Sequence, residues 1–317
     1  MVGTVAEKPV APVHDVWSEP VQYRVKVQSF SVLPPEITVR AIDHSRELDR
    51  YMSVYRQDVD SRPGNSGGSL SVPSRRSRSR DPDAAPKPEN LHRAMVRRKS
   101  KLRLTIKELA PNAFITLTSR RILTSLDMAG AAYAEWLRLV RKHYGEAFAA
   151  VWVPEWHGGG DHLHLHVAAR VPGGLREACS ALRFLWHRAL CRVSGRPIPK
   201  APLRGAESPG NIDIEARGLR GKTDLDKANR IARYMSKYLS KDMILEFGRK
   251  AYSRTQNIEL AAAAIFWATE LDLAAARVEA LRVCGYDPKA LPLSTEFAPV
   301  GAPVVWIELA AHPPVPS

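Results

Sequence analysis

Six residues at positions 162–167, HLHLHV, alternate strictly between histidine and an aliphatic side chain. Successive side chains of a β-strand point to opposite faces, so this alternation predicts a strand over residues 162–169. We expect its leucine face to pack on a core and its histidine face to open onto the sheet surface. The chain therefore needs a sheet that is covered on only one side at this strand.

The histidine face predicts a metal site, because neutral imidazole is the commonest side-chain ligand for metal ions. Alternate residues of a strand lie roughly 6.6 Å apart, so two of His162, His164 and His166 can converge on one ion, whereas all three span about 13 Å. Glu155 precedes a glycine loop that would bring its carboxylate beside these histidines. Such a mixed site suits Mg²⁺ or Mn²⁺, and Zn²⁺ would also bind. The alternative is a histidine-rich edge strand that binds no ion.

A predicted helix over residues 224–243 carries the second group of polar residues. At 100° per residue, one face collects five of them, Arg230, Tyr234, Lys237, Tyr238 and Lys241. A phenol is a poor nucleophile unless its ionised form is stabilised, and nearby cations stabilise it. The opposite face, with Ala228, Ala232, Met235 and Leu239, would pack on the core. The alternative is that the tyrosines cap the core edge and the lysines are merely solvated.

Predicted elements around these two groups follow the order β-α-β-β-α-β, with one further helix. The strands are expected at residues 114–118, 149–153, 162–169 and 211–215, and the helices at 125–144, 175–193 and 224–243. This order matches a ferredoxin-like antiparallel sheet backed by helices, so we predict an α+β fold.

Composition and predicted elements divide the chain into four segments. Residues 1–57 form a segment of unknown role, with two short strands expected within residues 21–39 and a helix near residues 43–55. Residues 58–90 are rich in Ser, Pro, Gly and Arg, and predict a disordered basic linker. Residues 91–250 form the main domain, which begins with a basic run at 93–107. Residues 251–317 are expected to contain a helix at 258–283 and an irregular Pro-rich tail from residue 292.

Composition favours a nucleic-acid partner. The net charge of +14 and the pI near 9.9 attract polyanions. No apolar run approaches the roughly 20 residues of a membrane helix, so we expect no membrane partner. Three widely spaced cysteines and the lack of a signal-peptide pattern favour a reducing, cytoplasmic setting.

The segment GLRGKT at residues 218–223 looks like a phosphate-binding loop, but Ala216 stands where that motif requires glycine. We interpret it as a basic turn between a strand and a helix rather than as an ATP site.

Three motifs together resemble the HUH endonuclease superfamily. FITLT at residues 114–118, HLHLHV at 162–167 and YMSKYLSK at 234–241 occur in the family's order. The double-tyrosine form is typical of rolling-circle replication initiators from small single-stranded phages and some plasmids. The motifs cover less than half of the chain.

The resemblance implies an HUH endonuclease fold, to which the helix expected at residues 258–283 adds a C-terminal helical extension. It also assigns roles to individual residues. Glu155, His164 and His166 correspond to the metal ligands, although the extra His162 leaves a register of His162 with His164 open. The residues that correspond to paired nucleophiles and their accompanying lysines are Tyr234, Tyr238, Lys237 and Lys241.

The activity implied is nicking of single-stranded origin DNA with a divalent ion, Mg²⁺ or Mn²⁺. It leaves a 5′-phosphotyrosine link and a free 3′-OH for a host polymerase, and a host helicase would unwind the duplex. Transposases and mobilisation relaxases of the same superfamily are the nearest alternatives. A metal hydrolase of small molecules and a non-catalytic basic DNA-binding protein are alternatives from other classes.

Overall fold

The computed structural model describes residues 20–42, 88–120, 122–157, 162–215, 222–241, 252–289, 293–297 and 304–313, without the side chains of residues 88–92, 238–241 and 293–297. The helix predicted near residues 43–55, most of the predicted linker, the glycine loop at 158–160 and residues 216–221, which include the first four residues of GLRGKT, lie outside these ranges.

The described residues form two five-stranded antiparallel sheets and five α-helices, which confirms the α+β class. The strands are β1 Val21–Gln28, β2 Glu36–Ala41, β3 Ala113–Ser119, β4 Ala149–Trp156, β5 Leu163–Arg170, β6 Gly210–Ile214, β7 Ser253–Arg254, β8 Ala264–Glu270, β9 Leu293–Phe297 and β10 Val304–Leu309. The helices are α1 Pro88–Leu109, α2 Leu126–Tyr144, α3 Leu175–Val193, α4 Asp224–Lys241 and α5 Leu273–Val283. None of these helices has the length and apolarity to cross a membrane.

One sheet, which we call the central sheet, has the strand order β6-β3-β5-β4-β7. Its first four strands are those predicted from the sequence. Helices α2 and α3 cover one face, where alternate apolar side chains such as Ile115, Leu165 and Val167 are buried. The indole N–H of the buried Trp186 on α3 donates to the Thr118 carbonyl at 2.8 Å, so a core side chain also fixes the helix to the sheet.

The other face of the central sheet is covered only in part, by α1 and α4. Val151 and Ala168 of the sheet pack against Leu102 of α1 and against Ile231 and Met235 of α4. Thr223 begins α4 by accepting a hydrogen bond from the Asp226 backbone N–H at 3.1 Å, so the end of the GLRGKT segment serves as a helix cap. His164 and His166 of β5 lie on this partly covered face, opposite the buried Leu165 and Val167, as the alternation of HLHLHV predicts.

Both ends of the chain build the second sheet, which we call the terminal sheet. Its order is β8-β1-β2-β10-β9, and α5 packs on one of its faces. The helix predicted at residues 258–283 is wrong in its first half, where β8 pairs with β1 along its whole length. The alanine content favoured a helix, but the β-branched and aromatic run AIFWATE forms a strand once a partner strand is available. The predicted irregular tail is also wrong, since it contains β9 and β10.

Helix α1 lies between the sheets and carries a buried ionic cluster. The sequence shows only a basic run here, and the helix begins at Pro88, inside the predicted linker. The Lys107 ammonium is fully buried, 2.5 Å from a carboxylate oxygen of Glu36 and also in contact with Glu308, while Arg103 forms a second ion pair with Glu36. Burial raises the pKa of Glu36, but hydrogen bonds and charges from Arg103 and Lys107 outweigh it and lower that pKa overall. Buried charges persist only when paired, so this cluster fixes the terminal sheet to α1.

Candidate active site

The open face of the central sheet carries five polar side chains from one hairpin. Glu155 pairs with His164 across β4 and β5, and the His157 backbone N–H donates to the His162 carbonyl at 2.9 Å. Opposed residues of antiparallel strands share a face, and alternate residues return to it. On the histidine face, Glu155 and His157 from one arm of the hairpin therefore meet the other arm, which carries His162, His164 and His166.

Three of these histidines form a group that could hold a metal ion. The ligand atoms of His157, His162 and His164 all lie within 4.8 Å of one another. Bonds of about 2.1 Å require donor atoms no more than about 4.2 Å apart, so small side-chain rotations would suffice. Burial first, and then the neighbouring histidines, lower the pKa of His164 to about 4. This imidazole is consequently neutral at pH 7, with a lone pair free for a metal ion. The donor set thus fits a divalent cation.

His166 has a different partner. Its Nε2 atom lies 2.7 Å from Oε2 of Glu155, and the ring is only 4% exposed. Thr116 Oγ1 is 3.4 Å from the other ring nitrogen. Burial lowers the pKa of His166, and the hydrogen bond and charge of Glu155 oppose that shift. The four predicted metal residues thus divide in this structure: His162 and His164 join His157, whereas His166 pairs with Glu155.

The tyrosine helix α4 lies beside His166. Tyr234 is 39% exposed, and its ring meets Phe114 edge-on at 5.0 Å between centroids and His166 at 6.2 Å. The Nζ atom of Lys237 is 5.8 Å from the centre of the Tyr234 ring. The structure thus brings one tyrosine and one lysine of the predicted nucleophile group to the histidine face. Tyr238 and Lys241 belong to the same helix, but their side chains lie outside the described residues.

Part of this chain matches a known protein family. Residues 112–243 match the family model of the phage-type replication-associated protein ORF2. The match confirms the resemblance predicted from the three motifs. It covers the central sheet from β3 to β6 together with α2, α3 and α4, and it leaves the terminal sheet outside. No curated protein and no solved structure matches the chain.

A cavity of about 810 Å³ is lined both by the family-matched segment and by residues outside it, in α1 and the terminal sheet. Phe114 and Tyr234 from the segment and Trp306 of β10 contribute aromatic side chains to its wall. Five cations contribute to its wall: Arg103, Lys222, Arg230, Arg233 and Lys237. The acids Glu215, Asp226 and Glu308 also line it, so the cavity is predominantly but not uniformly basic.

Sequence reasoning missed His157 and the contribution of the terminal sheet. A signal for His157 was present, because it stands two residues after Glu155, directly after β4 and directly before the glycine loop. The position of Trp306 gave no such signal, since it lies 72 residues beyond Tyr234 and reaches the cavity only through the fold.

Proposed function

We propose that this protein nicks single-stranded DNA at a replication origin and becomes covalently linked to the new 5′ end. The observation that carries the proposal is the position of Tyr234 beside the histidine face within the family-matched segment. The order of elements in that segment and its antiparallel sheet support an HUH endonuclease fold. We place the reaction in the cytoplasm, where a host polymerase and helicase are available.

In the proposed reaction, the phenolic oxygen of Tyr234 attacks the scissile phosphorus. An oxygen–phosphorus bond forms to the tyrosine as the bond to the 3′ oxygen breaks. The phenol releases its proton, and the departing oxygen takes one up to give a free 3′-OH. Lys237 lies close enough to the ring to neutralise charge on the phosphate. Tyr238, one helical turn further along, is proposed to cut the regenerated junction later, with Lys241 in the corresponding supporting role.

The histidine face is proposed to bind the divalent ion. His157, His162 and His164 provide the closest donor set, and Glu155 and His166 adjoin it. When bound, such an ion stabilises the negative charge that develops on a phosphate under attack. We propose Mg²⁺ or Mn²⁺ as the ion during turnover, because the carboxylate of Glu155 adjoins the histidines. A purely histidine set would equally suit Zn²⁺.

The test is adduct formation on labelled single-stranded origin DNA, with Mn²⁺ or with EDTA, resolved on denaturing gels. We expect a metal-dependent protein–DNA adduct that disappears in the double variant Tyr234→Phe/Tyr238→Phe. The two single variants show which tyrosine acts first. Tyr144→Phe is the matched control, because this half-buried tyrosine packs on Phe148 at the end of α2. DNA binding without any adduct would instead favour a non-catalytic DNA-binding protein, and an adduct in the double variant would refute the assignment of the nucleophiles.

A further inference from the structure

The terminal sheet has one face covered by α5 and another that carries aromatic and basic side chains. Tyr23, Val25, Ile37 and Val39 point towards α5 and are buried. The alternate side chains of the same strands point the other way. All of these strands lie outside the segment that matches the replication-associated family.

Two rows of residues cross four strands on this second face. In one row, the strand registers align Val304, Arg40, Arg24 and Trp267. In the adjacent row they align Trp306, Thr38, Lys26 and Ile265. Trp267 is 55% exposed and Ile265 is 47% exposed, so both edge-strand side chains present apolar surface to solvent.

Two arginines of this face stand where their positive charges repel each other. Arg24 and Arg40 are both exposed and stand directly opposite each other across β1 and β2. Like charges in this position destabilise a sheet. Among the described residues, neither arginine forms an ion pair with an acid. The acids Glu36 and Glu308 form the next row of this face after Thr38 and Trp306, and both are already paired with Lys107. A polyanion laid across the rows would relieve this repulsion.

We propose that this face, the Trp267 face, binds single-stranded DNA by stacking a base on Trp267 and holding phosphates with Arg24, Arg40 and Lys26. Single strands are held by aromatic side chains interleaved with cations, because every base has a face that can stack. A four-stranded antiparallel sheet with exposed aromatics is a known platform for such bases. The inference rests on the proposed function, since it takes single-stranded DNA as the substrate of the tyrosine site.

The Trp267 face is connected to the tyrosine site through Trp306. That indole stands beside Thr38 in the second row, and it also lines the cavity to which Tyr234 contributes. The guanidinium of Arg103 lies 5.3 Å from the centre of the Trp306 ring, so an aromatic side chain and a cation stand together at the junction. A single strand of DNA that leaves Tyr234 could follow the cavity wall past Trp306 and onto the Trp267 face.

The experiment measures binding of the full chain to a fluorescent oligothymidylate of about 30 nucleotides, in EDTA, by anisotropy at several salt concentrations. We expect Trp267→Ala to weaken binding by about 5-fold to 100-fold, and Trp267→Phe to bind nearly as wild type because it keeps a stacking surface. Arg24→Gln and Arg40→Gln should each reduce the salt slope by about 0.7. Arg282→Gln on α5 removes the same charge from the opposite side of the sheet and is expected to leave the slope unchanged.

Unchanged binding in Trp267→Ala, Arg24→Gln and Arg40→Gln would overturn the inference, and so would a change of oligomeric state in Trp267→Ala without loss of DNA binding. Adduct formation on a short oligonucleotide that spans only the nick is measured in parallel. Loss of tight binding in Trp267→Ala with normal adduct formation supports the Trp267 face. Absence of any adduct in wild type with normal binding would refute the proposed nicking alone. The two proposals can therefore fail separately.

Discussion

The phenol ring of Tyr234 stands perpendicular to the imidazole of His166, with 6.2 Å between the ring centroids. Phe114 contacts both rings, stacked on His166 at 5.6 Å and edge-on to Tyr234. Three aromatic rings from β3, β5 and α4 thus fix the proposed nucleophile against the histidine strand. Since Glu155 lies within hydrogen-bond distance of His166, the orientation of this imidazole beside the tyrosine depends on the carboxylate.

Glu155→Gln is therefore expected to slow adduct formation by about 10-fold to 100-fold, the usual effect of removing a group that orients a site residue. The glutamine keeps the shape of the side chain but loses the charge that faces His166. The measurement is the initial rate of adduct formation at saturating Mn²⁺. Glu135→Gln is the control, because this carboxylate pairs with Arg138 on α2, away from the site. Equal rates for both variants would contradict a positioning role for Glu155.

His157→Ala is expected to weaken binding of Mn²⁺ or Co²⁺ by at least about 10-fold, because it removes one of three grouped imidazoles. Isothermal titration calorimetry measures the affinity directly and needs no DNA. His143→Ala removes an exposed histidine from the end of α2 and provides the matched control. If His157→Ala binds the ion as tightly as wild type, the ion does not use this histidine, and the set of Glu155, His164 and His166 becomes the better assignment.

The buried cluster around Glu36 predicts a loss of stability in acid. Its pKa is lowered in the folded protein, so the stabilisation is complete above the ordinary carboxyl pKa of about 4.3 and disappears as pH falls through the lower folded value. We expect the free energy of unfolding in urea to fall across this window. In Glu36→Gln that part of the fall should be absent, and stability at pH 7 should be lower by about 3–5 kcal/mol, because a buried ion pair has lost one member. Parallel pH profiles for the two proteins would contradict this account.

We predict that no larger residue can replace Gly210, where β6 pairs with β3, without a loss of stability. A Cβ atom at this position would lie 2.1 Å from the Thr118 carbonyl oxygen and 2.7 Å from Cδ1 of Leu190. Because a backbone atom cannot move aside easily, Gly210→Ala should lower the free energy of unfolding by about 1–3 kcal/mol. Gly130→Ala should instead raise it by about 0.5–1 kcal/mol, because among the described residues no atom outside the adjoining helix backbone lies within 4 Å of the added carbon. Thermal or urea unfolding of the pair gives the comparison, and a neutral Gly210→Ala would refute the steric argument.

Much of the central sheet could be predicted because its signals are local. The alternation in HLHLHV fixes both the strand and the face on which the histidines lie, and the spacing in α4 separates Met235 from Tyr234. His157 was missed because its role depends on the hairpin register, which pairs it with His162 across a loop. The helix expected at residues 258–283 failed for a related reason. Alanine content is a local property, whereas β8 exists because β1, more than 230 residues earlier, offers it a partner.

The sequence by itself determined the α+β class, the strands of the central sheet, the tyrosine helix and the family of the matched segment. These depend on side-chain periods and on motifs that are read within a few residues. Only the tertiary structure decided that the two ends of the chain form one sheet, that Lys107 is buried between Glu36 and Glu308, and that Trp306 reaches the tyrosine cavity. Each of these contacts joins residues far apart in the chain, and its energy comes from burial and pairing that no local pattern records.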